Sequence, residues 1–404
     1  MNTPDAVRAA ELAARHSYGR LLALLAARTR DIAAAQDALA EALAAALATW
    51  PRTGVPREPD AWLMTAARNH LRNAARHQAV VDGSAADLAL LLDEAAPEAD
   101  DLPDRRLALM LVCAHPAIDA AVRTPLMLQV VLGLDAARIA AAFLVPPATM
   151  GQRLSRAKAK IRDAGLRFEL PDATDLPTRL DEVLDAIYAA FGIGWDDLPG
   201  GGPGAGDLAE EAIFLARLLV SLLPAEPEPQ GLLALMLYCH AREQARRDER
   251  GRFVPLAAQD ARLWDRPTLI EAEGWLTAAA RARRFGRYQC EAAIQSVHIQ
   301  RPITGRANHE ALLMLYGLLT EHAPSLGAAV GLAATLLDAD RPAEALARLQ
   351  SLEAAQAEGY QPYWVVRART LQAMGESDAA AAALQRALAL TRDPAVQAHL
   401  QGGG

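Results

Sequence analysis

Eight side chains crowded between residues 149 and 162 are of the types that recognise nucleic acid: Thr149, Gln152, Arg153, Ser155, Arg156, Lys158, Lys160 and Arg162. Asp163 is the only acid between residues 148 and 164, and Lys158 and Lys160 are the only lysines in the chain. Gln pairs bidentately with adenine and Arg with guanine in a major groove, while Lys, Arg and hydroxyl groups hold phosphates. On charge alone a second reading stays open, because an amphipathic helix with a solvated basic face has the same composition and needs no DNA.

Other chemistry finds little support. Cys113, Cys239 and Cys290 lie far apart, and Cys113 near His115 or Cys239 beside His240 supplies two ligands at most where a metal cage wants three or four. No metal and no cofactor is expected. Pairs such as Asp196/Asp197, or His298 near Glu291, form no nucleophile, base and orienter set at a helical spacing, so no catalytic residue is assigned and no enzyme is expected. The glycines from Pro199 to Gly206 lack a following Gly-Lys-[Ser/Thr] and a preceding strand, and read as a loop.

The elements that must position the basic run are helical. Ala and Leu dominate a 52% hydrophobic composition with only 5% aromatics, which predicts an all-α fold. Leu134 to Arg162 has the order of a helix-turn-helix within residues 126–164. Ile139 and Ala140 give a first helix, Ala136–Phe143, a small apolar face; Val145 plugs the turn; Met150, Leu154 and Ile161 form the buried stripe of a second helix, Ala148–Ala164. Upstream, Leu21 to Leu47 recur at helical steps and predict two helices over residues 7–50, with Asp31 as N-cap of the second. Three prolines and a glycine between Trp50 and Asp60 predict a loop, then a helix from Ala61 to His77.

The chain divides by charge. Residues 82–104 hold eight acids and no Lys or Arg, and residues 171–404 carry 21 basic against 30 acidic groups, a net −9. Four segments follow: a helical domain at 7–80, an acidic linker at 81–104, a helix-turn-helix domain at 105–170 and an all-helical domain at 171–404. In the last, Ala329, Ala333, Leu336, Ala345, Leu349 and Leu352 align at a spacing of 35 with Trp364, Ala368, Leu371, Ala380, Leu384 and Ala387, a tetratricopeptide-like pattern that generic alanine-rich hairpins also produce. The start of the chain has no apolar signal region, and no stretch reaches the ~18 uninterrupted apolar residues of a membrane helix. A cytoplasmic protein without a membrane partner is expected.

Residues 105–171, from Arg105-Arg-Leu-Ala-Leu-Met-Leu-Val-Cys-Ala-His-Pro116 to Phe168-Glu-Leu-Pro171, resemble region 4 of extracytoplasmic-function sigma factors, in particular the group with a long tetratricopeptide-like C-terminal domain. Trp62-Leu-Met-Thr-Ala-Ala-Arg-Asn69, with Asn73 and Arg76 beyond, is similar to the region 2 pattern of the same family. The resemblance implies promoter contacts at the minus-35 element for Thr149, Gln152, Arg153, Ser155, Arg156, Lys158 and Lys160. It implies minus-10 contacts for Trp62, Arg68, Asn69, Arg72, Asn73 and Arg76. Gln36-Asp37-Ala-Leu-Ala-Glu41 resembles the segment that docks on RNA polymerase, with Asp37 and Glu41 on one face, although Ala40 stands where the family usually has Gln. Asp207 to Leu219, Pro224-x-Glu-Pro-Glu228, Gly231 to Met236 and Gln259-Asp-x-x-x-Trp-Asp265 carry the resemblance into the C-terminal half, and Phe191-Gly-Ile-Gly194 departs from it.

Two functions are expected from these readings. The first is a sigma factor that binds core RNA polymerase and promoter DNA and directs initiation, with a regulatory protein or ligand acting at the C-terminal domain. The second is a sigma-like helical-repeat adaptor that works through protein contacts, favoured by only ten Arg against seven acids in residues 1–80.

Overall fold

A computed structural model describes residues 17–82, 104–143, 145–172, 175–196, 206–353, 357–391 and 393–402. Among these the elements are helices, and the only extended pairing is an isolated bridge between Arg247 and Phe253. The chain forms two compact units. The first holds Met1–Asp197 and Gly201–Ala212, the second Leu198–Gly200 and Ile213–Gly404. The expected acidic linker and the glycine loop lie mostly outside the described residues.

In the first unit, helix α1 spans 17–29. Leu21 to Ala26 are buried without a break, so α1 is covered on every side rather than along one stripe. Asp31 caps α2 (Ile32–Thr53) by accepting from the N–H groups of Ala33 and Ala34 at 2.9 and 3.1 Å, as the sequence predicts. Ile32, Ala35, Leu39, Ala42, Ala46 and Trp50 form its buried stripe, and α3 (Pro59–Asp82) packs on α2 with Leu63, Met64 and Ala67 in the core. By length and composition α2 passes for a membrane span, but Asp37 and Glu41 interrupt it and its apolar stripe lies in this core.

The loop predicted from Pro51 to Asp60 is shorter than expected. α2 runs through Pro51 to Thr53, closing on Gly54, whose φ of 89° brings its N–H to the Trp50 carbonyl at 2.9 Å. A proline in the last turn gives up one N–H donor, and the buried Trp50 beside it holds the turn in place. α3 starts on Pro59, whose fixed φ suits a first helical position.

The apolar run from Arg105 to Leu132 is two helices, α4 (Arg106–Cys113) and α5 (Ala120–Leu132), because Pro116 breaks the period and Asp119 caps the second by accepting from the Ala121 N–H at 3.0 Å. α5 ends on Gly133, left-handed at φ 72°. α6 (Ala136–Ala142) and α7 (Pro147–Asp163) follow, joined by a turn in which the Val145 N–H donates to the Ala140 carbonyl at 2.9 Å. Met150, Leu154, Ala157 and Ile161 are the buried stripe of α7. Helix α8 (Leu176–Asp196) packs on α4 and α5, where Arg123 pairs with Glu182 and Arg179 donates to the Leu111 carbonyl.

Helix α9 (Gly206–Leu222) carries the chain into the second unit. There α10 (Pro227–His240) is buried along almost its whole length between α11 (Arg266–Arg281) and α12 (Arg287–Thr304). The motif residue Glu228 caps α12 from a distance: its carboxylate accepts from the N–H of Tyr288 at 3.0 Å, the N–H of Gln289 at 3.2 Å and the Gln289 amide at 3.0 Å. Asp265 stands at the N-cap of α11 and accepts from the Thr268 hydroxyl at 2.5 Å, with Trp264 buried beside it.

Helices α13 (His309–His322), α14 (Leu326–Asp338), α15 (Pro342–Gln350), α16 (Gln361–Ala373), α17 (Ser377–Leu390) and α18 (Pro394–Gln401) complete the unit. The 35-residue spacing falls on two helical hairpins. Ala333, Leu336, Ala345 and Leu349 are buried in α14/α15, and Ala368, Leu371, Ala380 and Ala387 in α16/α17. The backbone repeats too: Asp340 and Gly375, also 35 apart, both turn through positive φ, 60° and 84°. Asp is one of the few residues besides Gly that tolerates that region.

Candidate nucleic-acid interface

The side chains of α7 divide around its axis. At about 100° per residue, Thr149, Gln152, Arg153, Arg156 and Lys160 share an arc of about 100°, while Lys158, Arg162 and Ser155 stand on the far side of the helix. Gln152, Arg153, Ser155, Arg156, Lys160 and Arg162 are exposed; Thr149 and Lys158 are half-buried. Pro146 and Pro147 open the helix, and Lys160 and Arg162 lie in its last turn, where cations oppose the partial negative charge of the carbonyls.

The first arc borders a cavity of about 490 Å³. Arg153, Arg156 and Lys160 line it from α7; Ile118, Asp119 and Val122 line it from the turn before α5 and from α5 itself. Its wall thus combines three cations and one acid, Asp119, with apolar side chains.

The second arc meets α2. The Lys158 ammonium donates to the Gln36 side-chain carbonyl at 2.8 Å and the Gln36 amide donates to the Tyr18 hydroxyl at 3.0 Å, while Arg162 donates to the adjacent Asp163 at 2.9 Å and lies 3.7 Å from Asp31. Burial pulls the Lys158 pKa below the ordinary lysine value, and the nearby carboxylates of Asp37 and Asp31 oppose that shift. The sequence predicts Lys158 beside the other cations; the fold turns it toward the N-terminal helices. Tyr18, Gln36 and the second role of Asp31 were not foreseen, since nothing in the local pattern places residue 31 near residue 162.

On α3, Asn69, Asn73 and Arg76 are exposed, and Trp62, Arg68 and Arg72 are half-buried. Spacings of three and four residues put Arg68, Asn69, Arg72, Asn73 and Arg76 along one side of the helix. Trp62 packs edge-on against Trp50 with ring centroids 5.5 Å apart, which fixes it at the start of that row. The exposed face of α2 carries Asp37 and Glu41 with Ala40, Ala44, Leu47 and Ala48, a partly apolar strip with two acids at one end. Among the described residues no group of His, Cys, Asp and Glu is arranged to hold a metal ion. Burial pushes the thiols of Cys113 and Cys239 up, and that of Cys290 to about 11, so all three stay protonated at neutral pH.

Residues 13–80, which include α1, α2 and most of α3, match the family described as Sigma-70 region 2. Residues 179–280 match a family of unknown function, DUF6596. An uncharacterized protein of Rhizobium meliloti (strain 1021) is 38% identical over 384 residues, covering 92% of this chain and 89% of that protein. No solved structure matches.

Proposed function

We infer that this chain, which belongs to the sigma-70 family, is a sigma factor of the extracytoplasmic-function type that docks on core RNA polymerase and directs it to promoters. The observation that carries this reading is one chain holding both a sigma-70 region 2 over α1–α3 and, on α7, an exposed arc of Gln152, Arg153, Arg156 and Lys160. Helices α6 and α7 act as a helix-turn-helix. α7 enters the major groove with Gln152, Arg153 and Arg156 toward base edges, and Lys160 and Thr149 toward phosphate. Trp62, Arg68, Asn69, Arg72, Asn73 and Arg76 contact the minus-10 element, and the acidic, partly apolar strip at Asp37 and Glu41 meets a basic polymerase surface.

We assign domains at 7–80, 105–170 and 171–404, joined by the linker 81–104, and place the protein in the cytoplasm. The tetratricopeptide-like hairpins of the C-terminal domain regulate the N-terminal half through a protein or ligand partner; promoter output in cells that is unchanged by removing residues 207–404 refutes that role. No covalent chemistry is assigned to the chain.

Run-off transcription with core polymerase and genomic fragments tests the main reading. The wild type initiates at discrete sites, and Arg153→Ala or Arg156→Ala lowers initiation about 10- to 100-fold, as loss of one base-pairing fork of 1–3 kcal/mol requires. No initiation by the wild type favours the adaptor instead. Initiation that ignores both substitutions removes α7 as the reading helix.

A further inference from the structure

Arg281-Ala-Arg-Arg-Phe-Gly-Arg287, the turn from α11 to α12, sets four arginines in seven residues, and no acid falls between Glu273 and Glu291. The run stands in an otherwise acidic part of the chain, residues 171–404 being net −9. Two of its arginines are engaged: Arg284 pairs with Glu226 at 3.0 Å and Arg287 with Glu291 at 2.9 Å. Arg281 and Arg283 are exposed, and their side chains bond to no other described residue. Phe285 is 50% exposed, and its ring lies against that of His322 at the end of α13, with centroids 4.9 Å apart. An aromatic ring held half in solvent among arginines can take an unpaired base on its face and phosphates on its rim.

The backbone adds an independent observation. Arg283 follows the C-cap of α11 at φ 52°, a left-handed conformation that glycine adopts freely and arginine only at a cost. Stability alone therefore favours glycine at this position. The guanidinium that stands there instead, without a protein partner, points to a role outside the fold.

We propose that the α11–α12 turn binds single-stranded nucleic acid: a base stacks on the Phe285 ring while Arg281 and Arg283 hold the flanking phosphates. A duplex offers the same phosphates but keeps its base faces covered, and an acidic peptide satisfies the cations but makes no use of the ring. The site lies within the second unit and stands whether or not α7 reads DNA. Glu321, exposed beside His322 and in no ion pair among the described residues, opposes the strand by like-charge repulsion.

The test uses the full chain and a short oligothymidylate with 5-iodouracil at its centre, whose photo-adducts on aromatic side chains are mapped by mass spectrometry. In wild type the adduct forms on Phe285 or His322. Arg283→Gly lowers the yield of that adduct about five-fold at subsaturating protein and reduces its log–log salt slope by about 0.7, one phosphate contact on a single strand. Because glycine suits this φ, the denaturation midpoint of the variant is unchanged or higher, which separates lost binding from lost folding. Arg301→Gln removes an exposed cation about 20 Å farther along α12 and changes the yield less than about two-fold, whereas Glu321→Gln raises it. Adducts confined to other residues overturn the proposal, as does Arg283→Gly behaving like Arg301→Gln. Competition for this adduct by duplex equal to that by single strand removes the stacked base and overturns it too. Displacement by oligoglutamate as readily as by unlabelled oligothymidylate also overturns it and gives the turn to an acidic peptide instead.

Discussion

Replacing Gly19 by Ala pits two effects of opposite sign against each other. Gly in a helix interior is worse than Ala by about 1 kcal/mol, so local propensity alone predicts that Gly19→Ala stabilises α1. The structure predicts the reverse. The new Cβ would sit 2.1 Å from the Val131 carbonyl oxygen and 3.1 Å from its carbon, both backbone atoms that no rotamer change can move aside. Contact at an ordinary separation requires α1 to retreat from α5 by about 1 Å, and overpacking of this kind costs about 2–3 kcal/mol where rigid elements meet. The net expectation is a loss of about 1–2 kcal/mol. Gly151→Ala is the matched control, because nothing lies within 4 Å of its added Cβ and α7 should gain about 0.5–1 kcal/mol. Denaturant dependence of hydrogen exchange at the α1, α5 and α7 amides, measured in the full chain, reads both effects. If Gly19→Ala stabilises as much as Gly151→Ala, α1 and α5 do not meet as described.

Three further outcomes follow from the second unit. Glu228→Ala strips the acceptor from the Tyr288 and Gln289 N–H groups and should cost about 2 kcal/mol in denaturation of that unit. Gly286→Ala should cost a similar amount, since its Cβ would fall 1.8 Å from the Glu228 carboxylate oxygen, and a neutral result for either contradicts the cap. His298 is held neutral, its pKa pushed down to about 4 chiefly by burial and secondarily by Arg242. Between about pH 6.5 and 4 the unfolded chain takes up a proton that the folded chain refuses. This contribution is therefore complete above 6.5 and lost as pH falls toward 4, about 3 kcal/mol in all, and His298→Gln should flatten the slope of stability against pH in that window.

The sequence alone determined what depends on neighbours three or four residues apart. Helix type followed from Ala and Leu content, the α7 stripe from Met150, Leu154 and Ile161, the α2 cap from Asp31, and the hairpin spacing from the 35-residue recurrence that Asp340 and Gly375 repeat in the backbone. Where a local signal competed with packing it misled: Pro51 reads as a loop, yet the buried Trp50 keeps the helix going to Thr53. Pro116 divides the apolar run from Arg105 to Leu132 into α4 and α5.

Only the tertiary structure decided how the basic helix is used. Charge counting places Lys158 with Arg153, Arg156 and Lys160, because a helix pattern fixes angles around its own axis but not which side meets a neighbour. The fold brings residues more than a hundred positions apart together, turning Lys158 to Gln36 and setting Arg162, bonded to Asp163, 3.7 Å from Asp31, while Arg153, Arg156 and Lys160 line a cavity. Contacts at that separation arise from the summed burial of α1, α2, α5 and α7, and no spacing in the sequence encodes them.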